Sequence, residues 1–236
     1  MRITVSAGAL VVALAACAHT QTAANSTRAG AASMSVSTGQ WTNLIDPSLS
    51  MWQGYDSDTV PTGWKVDDGM IMKTGHAEDL VSKQQYGNFE LDFDWKIAKG
   101  GNSGVFYRAT KEYDHIYWSG PEYQLLDDPN FPDGKNPKTS AGSDYALYGV
   151  ERGIVKPYDT WNTSKIIVDG SHVEHWLNGK KVVDYELGSP DWKARVAASK
   201  FSKYPNYGLA KRGYIGIQGD HPGQLTLRNV RIRELP

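Results

Sequence analysis

A period-two alternation of apolar and polar residues runs through most of the chain from residue 41 onward. Asn88-Phe89-Glu90-Leu91-Asp92-Phe93-Asp94-Trp95-Lys96-Ile97 is its clearest stretch. Successive side chains of a strand point to opposite faces. Phe89, Leu91, Phe93, Trp95 and Ile97 are therefore expected to face a core, and Glu90, Asp92, Asp94 and Lys96 to face away from it. Trp64 to Met72 predicts a hairpin turning at Asp68-Gly69. Asp169-Gly170 and Asn178-Gly179 predict the turns of a meander built from residues 161–168, 173–177 and 181–185. Shorter strands are expected at 80–82, 103–109, 122–126, 146–150, 214–218 and 224–233. Residues 128–145 read as a loop, broken by Pro129, Pro132, Gly134, Pro137 and Gly142. Residues 186–212 read as irregular, with one helical turn near Asp191 to Ala197. Many short strands, turn chemistry between them and no long amphipathic helix predict an all-β fold, a two-sheet antiparallel jelly-roll sandwich.

The first 40 residues break this pattern. Val5 to Ala16 is a run of small and apolar residues, too short to span a bilayer, which takes ~20. It fits the apolar region of a secretory signal. Leu14-Ala15-Ala16-Cys17 looks like a bacterial lipobox, with Cys17 the lipidation site; the alternative is an ordinary signal peptide with a chance cysteine. The expected organisation is a lipoprotein signal over residues 1–17, a flexible Ala/Ser/Thr linker over 18–40 and one domain over 41–236. That places the protein in the bacterial periplasm or cell envelope, touching the membrane only through an N-terminal lipid anchor. Cys17 is the only cysteine, so neither an intrachain disulfide nor a cysteine-based metal site is available.

The net charge is −1 with no basic stripe, which argues against nucleic acid as a partner. Eight tryptophans and thirteen tyrosines outnumber five phenylalanines. Rings with a polar edge suit a carbohydrate, although most of them are expected to fill the core. Three groups of residues carry candidate chemistry. Glu90, Asp92 and Asp94 share a strand face, the spacing of a conventional retaining glycosidase, but a solvated sheet face is the stronger reading. Glu122 and Gln124 alternate with Tyr123 and Leu125, so they lie on one face that is either wet or functional. His221 sits in a Gly/Asp/Pro turn between strands, where functional side chains gather, and an imidazole is a ready general base, but a loop histidine with no role is the stronger reading of the residue alone. His115 lies among Tyr113, Tyr117 and Trp118 and is a candidate for a sugar subsite. His172 and His175 are at i and i+3 on a strand and cannot share a metal. No P-loop, dinucleotide fingerprint, zinc-protease motif or nucleophile elbow is present.

Several segments together resemble the 3-keto-disaccharide hydrolase domain family. They include Gly101-Asn102-Ser103-Gly104-Val105-Phe106, Glu122-Tyr123-Gln124-Leu125-Leu126-Asp127, His175-Trp176-Leu177-Asn178-Gly179 and Arg228-Asn229-Val230-Arg231-Ile232-Arg233-Glu234-Leu235. The resemblance spans residues 41–236 and rests on their order and spacing. It implies a concanavalin A-like jelly roll and a small-molecule or oligosaccharide substrate already oxidised to a ketone at C3. The implied chemistry is removal of the C2 proton, β-elimination of the C1 substituent and hydration. The alternatives are a non-catalytic carbohydrate-binding lipoprotein and a conventional glycosidase. Under the resemblance, Glu122 and His221 are the catalytic candidates, and Glu122 could instead anchor a divalent cation. Asn102, Arg108 and Gln124 would bind hydroxyls or steady the enediolate, and Trp118, Tyr148 and Lys200 would shape the pocket. Many relatives carry a histidine where this chain reads Asn130-Phe131-Pro132-Asp133. Many also read Gln-Asp-His-Gly where this chain has Gln218-Gly219-Asp220-His221-Pro222.

Overall fold

The structure is a computed structural model and describes residues 39–236. The signal segment, Cys17 and the linker up to residue 38 lie outside the described residues. The strands are β1 (Thr42–Asn43), β2 (Trp52–Gly54), β3 (Trp64–Asp67), β4 (Met70–Lys73), β5 (Leu80–Tyr86), β6 (Phe89–Ile97), β7 (Asn102–Ala109), β8 (Glu122–Leu126), β9 (Asn162–Asp169), β10 (His172–Leu177), β11 (Lys180–Glu186), β12 (Gly213–Ile217) and β13 (Leu225–Glu234). Among the described residues one α-helix, α1 (Pro190–Ala197), lies between β11 and β12.

They form two antiparallel sheets. The larger has the order β11-β10-β9-β6-β13-β4-β3 with β1 also on β13, and the smaller runs β2-β5-β12-β7-β8. The alternation read from β6 is realised: Phe89, Leu91, Phe93, Trp95 and Ile97 are buried. They pack with Val105, Tyr107, Tyr123, Leu125, Ile215 and Ile217 of the smaller sheet in one hydrophobic core. Several polar atoms trapped between the sheets pair with one another, as burial favours. Ser164 Oγ meets Trp95 Nε1 at 2.9 Å and Tyr123 OH at 2.7 Å, and Tyr107 OH lies 2.9 Å from His175 Nε2.

Two predicted turns have both central residues in the left-handed region that a tight hairpin demands: Asp68 (φ 47°) with Gly69 (φ 69°), and Asn178 (φ 50°) with Gly179 (φ 82°). The third falls one residue later than expected. β9 continues through Asp169, and Gly170 (φ 60°) with Ser171 makes the turn. The strand expected at 80–82 runs on to Tyr86. Residues 146–150 do not form one. The Leu147 and Tyr148 amides both donate to Asp144 O, so the segment closes on itself, with Ala146 at φ 66°. The expected helical turn is α1, whose Ser189 N-cap accepts from Trp192 N at 3.1 Å with proline at the start.

The two outer faces differ. On the larger sheet, β6 and β13 face each other in register, and Glu90, Asp92 and Asp94 meet Arg233, Arg231 and Arg228. On the smaller sheet, Tyr55, Val81, Phe106, Ala109 and Ile116 form a minor apolar cluster over part of the face. The rest of that face is open, and the site lies there.

Candidate active site

β7 and β8 pair with Gly104 opposite Gln124 and Phe106 opposite Glu122. Tyr123 and Leu125 point into the core, so Glu122 and Gln124 must point outward. Asn102 shares that face, and Gln124 Nε2 donates to Asn102 Oδ1 at 3.1 Å. β12 ends beside β7, where the Gln218 amide donates to Gly104 O at 2.9 Å. The chain then enters the Gly219–Gly223 turn carrying Asp220 and His221.

These elements enclose a cavity of about 310 Å³, lined in part by Asn102, Glu122, Gln124, Lys200, Gln218 and His221. Tyr117 enters from the short helical turn Ile116–Trp118, and Phe131, Asp133 and Tyr145 enter from the loop after β8. That loop is tied to the edge of β8 as a strand would be. Gly142 N donates to Gln124 O, Gln124 N to Ser143 O, and Tyr145 N to Glu122 O. Lys200 Nζ lies 4.3 Å from the Tyr145 ring centre, within cation–π range. Tyr145 OH donates to Asp133 Oδ2 at 3.0 Å.

The Glu122 carboxyl is the group most altered by its setting. Burial pushes it up to about 8, opposed by the Lys200 cation and reinforced by Asp79, Asp220 and Asp144. It is thus largely neutral at neutral pH, a proton donor rather than an acceptor. Gln124 Oε1 and Gln218 Oε1 are buried with no hydrogen-bond partner, two acceptors available to hydroxyls of a bound molecule.

The turn bearing His221 is held from beneath. Lys73 is fully buried and donates from Nζ to Gly219 O at 3.2 Å and to His221 O at 2.5 Å. Asp79 accepts from Gly219 N at 2.8 Å. Burial lowers the Lys73 pKa and lifts the Asp79 carboxyl to about 7. The loop backbone is therefore fixed on both sides while the His221 side chain stays partly exposed at the cavity.

Of the residues singled out in the sequence, Glu122, His221, Asn102, Gln124 and Lys200 border this one cavity. Arg108, Trp118 and Tyr148 do not. Arg108 is buried and donates to Gly87 O and Asn88 Oδ1; its φ of 48° turns it from the row that Asn102 and Gly104 begin. Trp118 stacks on Tyr204, and its neighbour Tyr117 takes the cavity position. Tyr148 stacks on Tyr185 and donates to Asp191 Oδ2 at 2.8 Å. His115 stacks on Tyr117 and does not line the cavity. Sequence reasoning gave no role to Tyr117, Asp133, Tyr145, Gln218 or Asp220. Gln218 was within reach, because the alternation of Gly216 and Gln218 with Ile215 and Ile217 places it on the open face.

Among the described residues, three His, Asp or Glu donors converge only at His172, Glu174 and Asp184, on the other sheet. Lys181 Nζ bridges both carboxylates there, at 3.1 and 2.5 Å. A larger cavity, about 1090 Å³, also lies on that sheet. Its Asp92 and Asp94 are each bound to an arginine. Glu122, by contrast, has no cation in hydrogen-bonding contact, so the smaller cavity holds a buried carboxyl free of an ion pair.

Two antiparallel sheets packed on one hydrophobic core make a jelly-roll sandwich of the concanavalin A-like kind. Residues 40–233 match the family described as the 3-keto-alpha-glucoside-1,2-lyase-like domain, and the chain belongs to that family. A 3-keto-disaccharide hydrolase from Bacteroides thetaiotaomicron is 36% identical, over 78% of this chain and 74% of that protein. Two crystal structures of proteins from Parabacteroides distasonis, provisionally assigned as glycosyl hydrolases, superpose well. One has a TM-score of 0.77 at 35% identity, covering 83% of this chain and 94% of that one. The other has 0.68 at 30% identity, covering 83% and 100%.

Proposed function

We propose that the protein is a carbohydrate-active enzyme that cleaves glycosidic bonds of 3-keto-glycosides. The observation that carries this reading is the Glu122 carboxyl, kept neutral in a cavity it shares with His221 and Lys200. A 3-keto sugar needs no pair of carboxylates set for direct displacement at C1. His221 takes the proton from C2, whose acidity the neighbouring ketone raises. The negative charge collects on O3 as an enediolate, and the Lys200 cation stabilises it. The enediolate collapses with loss of the bond from C1 to the glycosidic oxygen, leaving a C1–C2 double bond conjugated to the ketone. Glu122 gives its proton to the departing oxygen. Water then adds at C1 and gives its spare proton to the Glu122 carboxylate, protonated His221 returns a proton to C2, and with both residues restored the sum is hydrolysis. Release of the unsaturated ketone before water adds would make the same step a lyase reaction. Asn102, Gln124 and Gln218 hold the hydroxyls. The relative named as a 3-keto-disaccharide hydrolase supports the substrate class.

The test is an assay of a 3-keto-glucoside beside the unoxidised glucoside, with wild type, Glu122→Gln and His221→Ala. Cleavage of the keto sugar alone, lost in both variants, is expected. Unchanged rates in the variants, or cleavage of the plain glucoside, would overturn the assignment.

A further inference from the structure

The larger sheet carries a groove that this reaction leaves unused. It is the 1090 Å³ cavity, and a single cross-strand row makes its floor. Trp176 of β10 pairs with Lys165 of β9, Lys165 with Asp92 of β6, Asp92 with Arg231 of β13, and Arg231 with Asn43 of β1. Paired residues point to the same face, and all five border the groove. Neighbouring strands lie ~4.8 Å apart, so the four steps from Trp176 to Asn43 extend about 19 Å. That is room for several sugar rings.

The chemistry of the row is specific. Indole rings stand at both ends. Trp176 Nε1 is fixed by Glu174 Oε2 at 2.7 Å. Trp41, just before β1, has the Arg231 and Arg233 guanidinium groups 4.3 and 4.8 Å from its ring centre. The charges between them are compensated internally. Asp92 accepts from Arg231 Nη2 at 2.8 Å, and Asp94 from Arg228 Nε at 3.1 Å and Asn229 Nδ2 at 2.7 Å. The paired charges of the floor offer little attraction to a polyanion or polycation, the two further acids bordering the groove, Asp46 and Asp68, disfavour a polyanion, and the charged floor is unsuited to an apolar helix. They do present alternating donors and acceptors to hydroxyls, between flat apolar surfaces for C–H faces.

We propose that this groove binds a neutral oligosaccharide chain without cleaving it, as a second saccharide site on the sheet opposite Glu122. Binding without cleavage follows from the arrangement of the acids. The three acids of β6, Glu90, Asp92 and Asp94, are each engaged by an arginine, so none of them stands free to assist a leaving group. Such a site would hold the protein on a glycan while the other sheet acts on small oxidised sugars. It stands independently of the reaction at Glu122.

The test is affinity electrophoresis of the full chain through gels containing soluble starch, mixed-linkage β-glucan, xylan or galactomannan. Titration of tryptophan fluorescence with the matching linear hexasaccharide then gives Kd. Retardation by at least one neutral polymer is expected, with Trp176→Ala and Trp41→Ala weakening binding at least tenfold. Thr163 is exposed beside the floor, so Thr163→Arg blocks the groove without touching the core and keeps the test readable should Trp41→Ala fail to fold. Glu122→Gln should bind as wild type does. Four results would each overturn the proposal: no retardation by any of the four polymers, retardation only by an anionic polymer such as polygalacturonate, binding undiminished in the groove variants, or binding abolished by Glu122→Gln.

Discussion

Glu122 occupies the space that a side chain on Gly104 would need. A Cβ built on Gly104 would lie 2.2 Å from Glu122 Oε1 and 2.8 Å from its Cδ and Cγ. Gly104 is not in the left-handed region, so its backbone makes no demand for glycine. The glycine serves the carboxyl. It lets the Glu122 side chain lie across β7, buried, and that burial keeps the group neutral.

Gly104→Ala is therefore expected to displace Glu122 while the fold survives. A shift of about 1 Å at a reacting group costs ~10²-fold in rate. Overpacking of this kind destabilises by roughly 1–3 kcal/mol. Comparing kcat/KM on a 3-keto-glucoside with the melting temperature separates the two effects. A variant as active as wild type would show that the Glu122 position is not critical.

Lys73 acts on the site through the backbone of the His221 turn. Lys73→Met keeps the apolar stem but strips Gly219 O and His221 O of their shared donor. An unsatisfied buried acceptor costs ~1–3 kcal/mol. The expected kinetic signature is a fall in kcat of ~10-fold or more with KM nearly unchanged, because the proposed hydroxyl contacts of Asn102 and Gln124 would stay in place. A rise in KM at constant kcat would instead place Lys73 in substrate binding.

The jelly roll was legible in the sequence because one face of nearly every long strand is buried, and burial writes a period of two. The short strands β1 and β2 were not, since two or three residues show no period. At the site, Glu122 and Gln124 share a face by strand parity, whereas Asn102, Arg108 and Lys200 entered only with the family resemblance. Arg108, expected from the resemblance, turns away from the cavity where β7 bends, and its positive φ cannot be read from a Tyr-Arg-Ala sequence. Tyr117, Asp133 and Tyr145 arrive from loops. Their place depends on contacts such as Tyr145 N with Glu122 O, which join segments that carry no period at all.

The activity should fall as pH rises through about 8. Glu122 acts as a proton donor in the proposed reaction, and it ionises near that value. A profile of kcat/KM from pH 6 to 10 reads this directly. Activity that climbs through pH 8 would make Glu122 the base and reverse the two roles.

Stability should also depend on pH, through buried carboxyls. Burial raises Asp144 to about 8 from 3.8, as it raises Asp79 to about 7 and Glu122 to about 8. A folded pKa above the unfolded one means that the native state binds more protons between the two values. Their contribution is whole below about pH 4 and is lost as pH rises through the folded pKa, with a slope of up to ~1.4 kcal/mol per pH unit for each group. Asp144→Asn removes one such group. Its melting temperature should fall less steeply than that of wild type between pH 5 and 8, and parallel curves would count against a buried neutral Asp144.

Glu90 behaves in the opposite way. Burial would raise its pKa, but hydrogen bonds from Lys165 and Arg233 outweigh that and hold the carboxyl below its ordinary value. The pair with Arg233 forms through both Nε and Nη2. A depressed pKa gives stability that is present above the unfolded value of about 4.5 and lost as pH falls through the folded one. Glu90→Gln should therefore destabilise the protein at neutral pH by ~1.5–3 kcal/mol, the range for hydrogen bonds to charged groups. The penalty should shrink in acid. Cleavage of a 3-keto-glucoside should be unaffected, since Glu90 lies on the sheet opposite the Glu122 cavity. If Glu90→Gln abolished turnover while the fold persisted, the reaction would have to move to the larger sheet, and the three acids of β6 would become a glycosidase site after all.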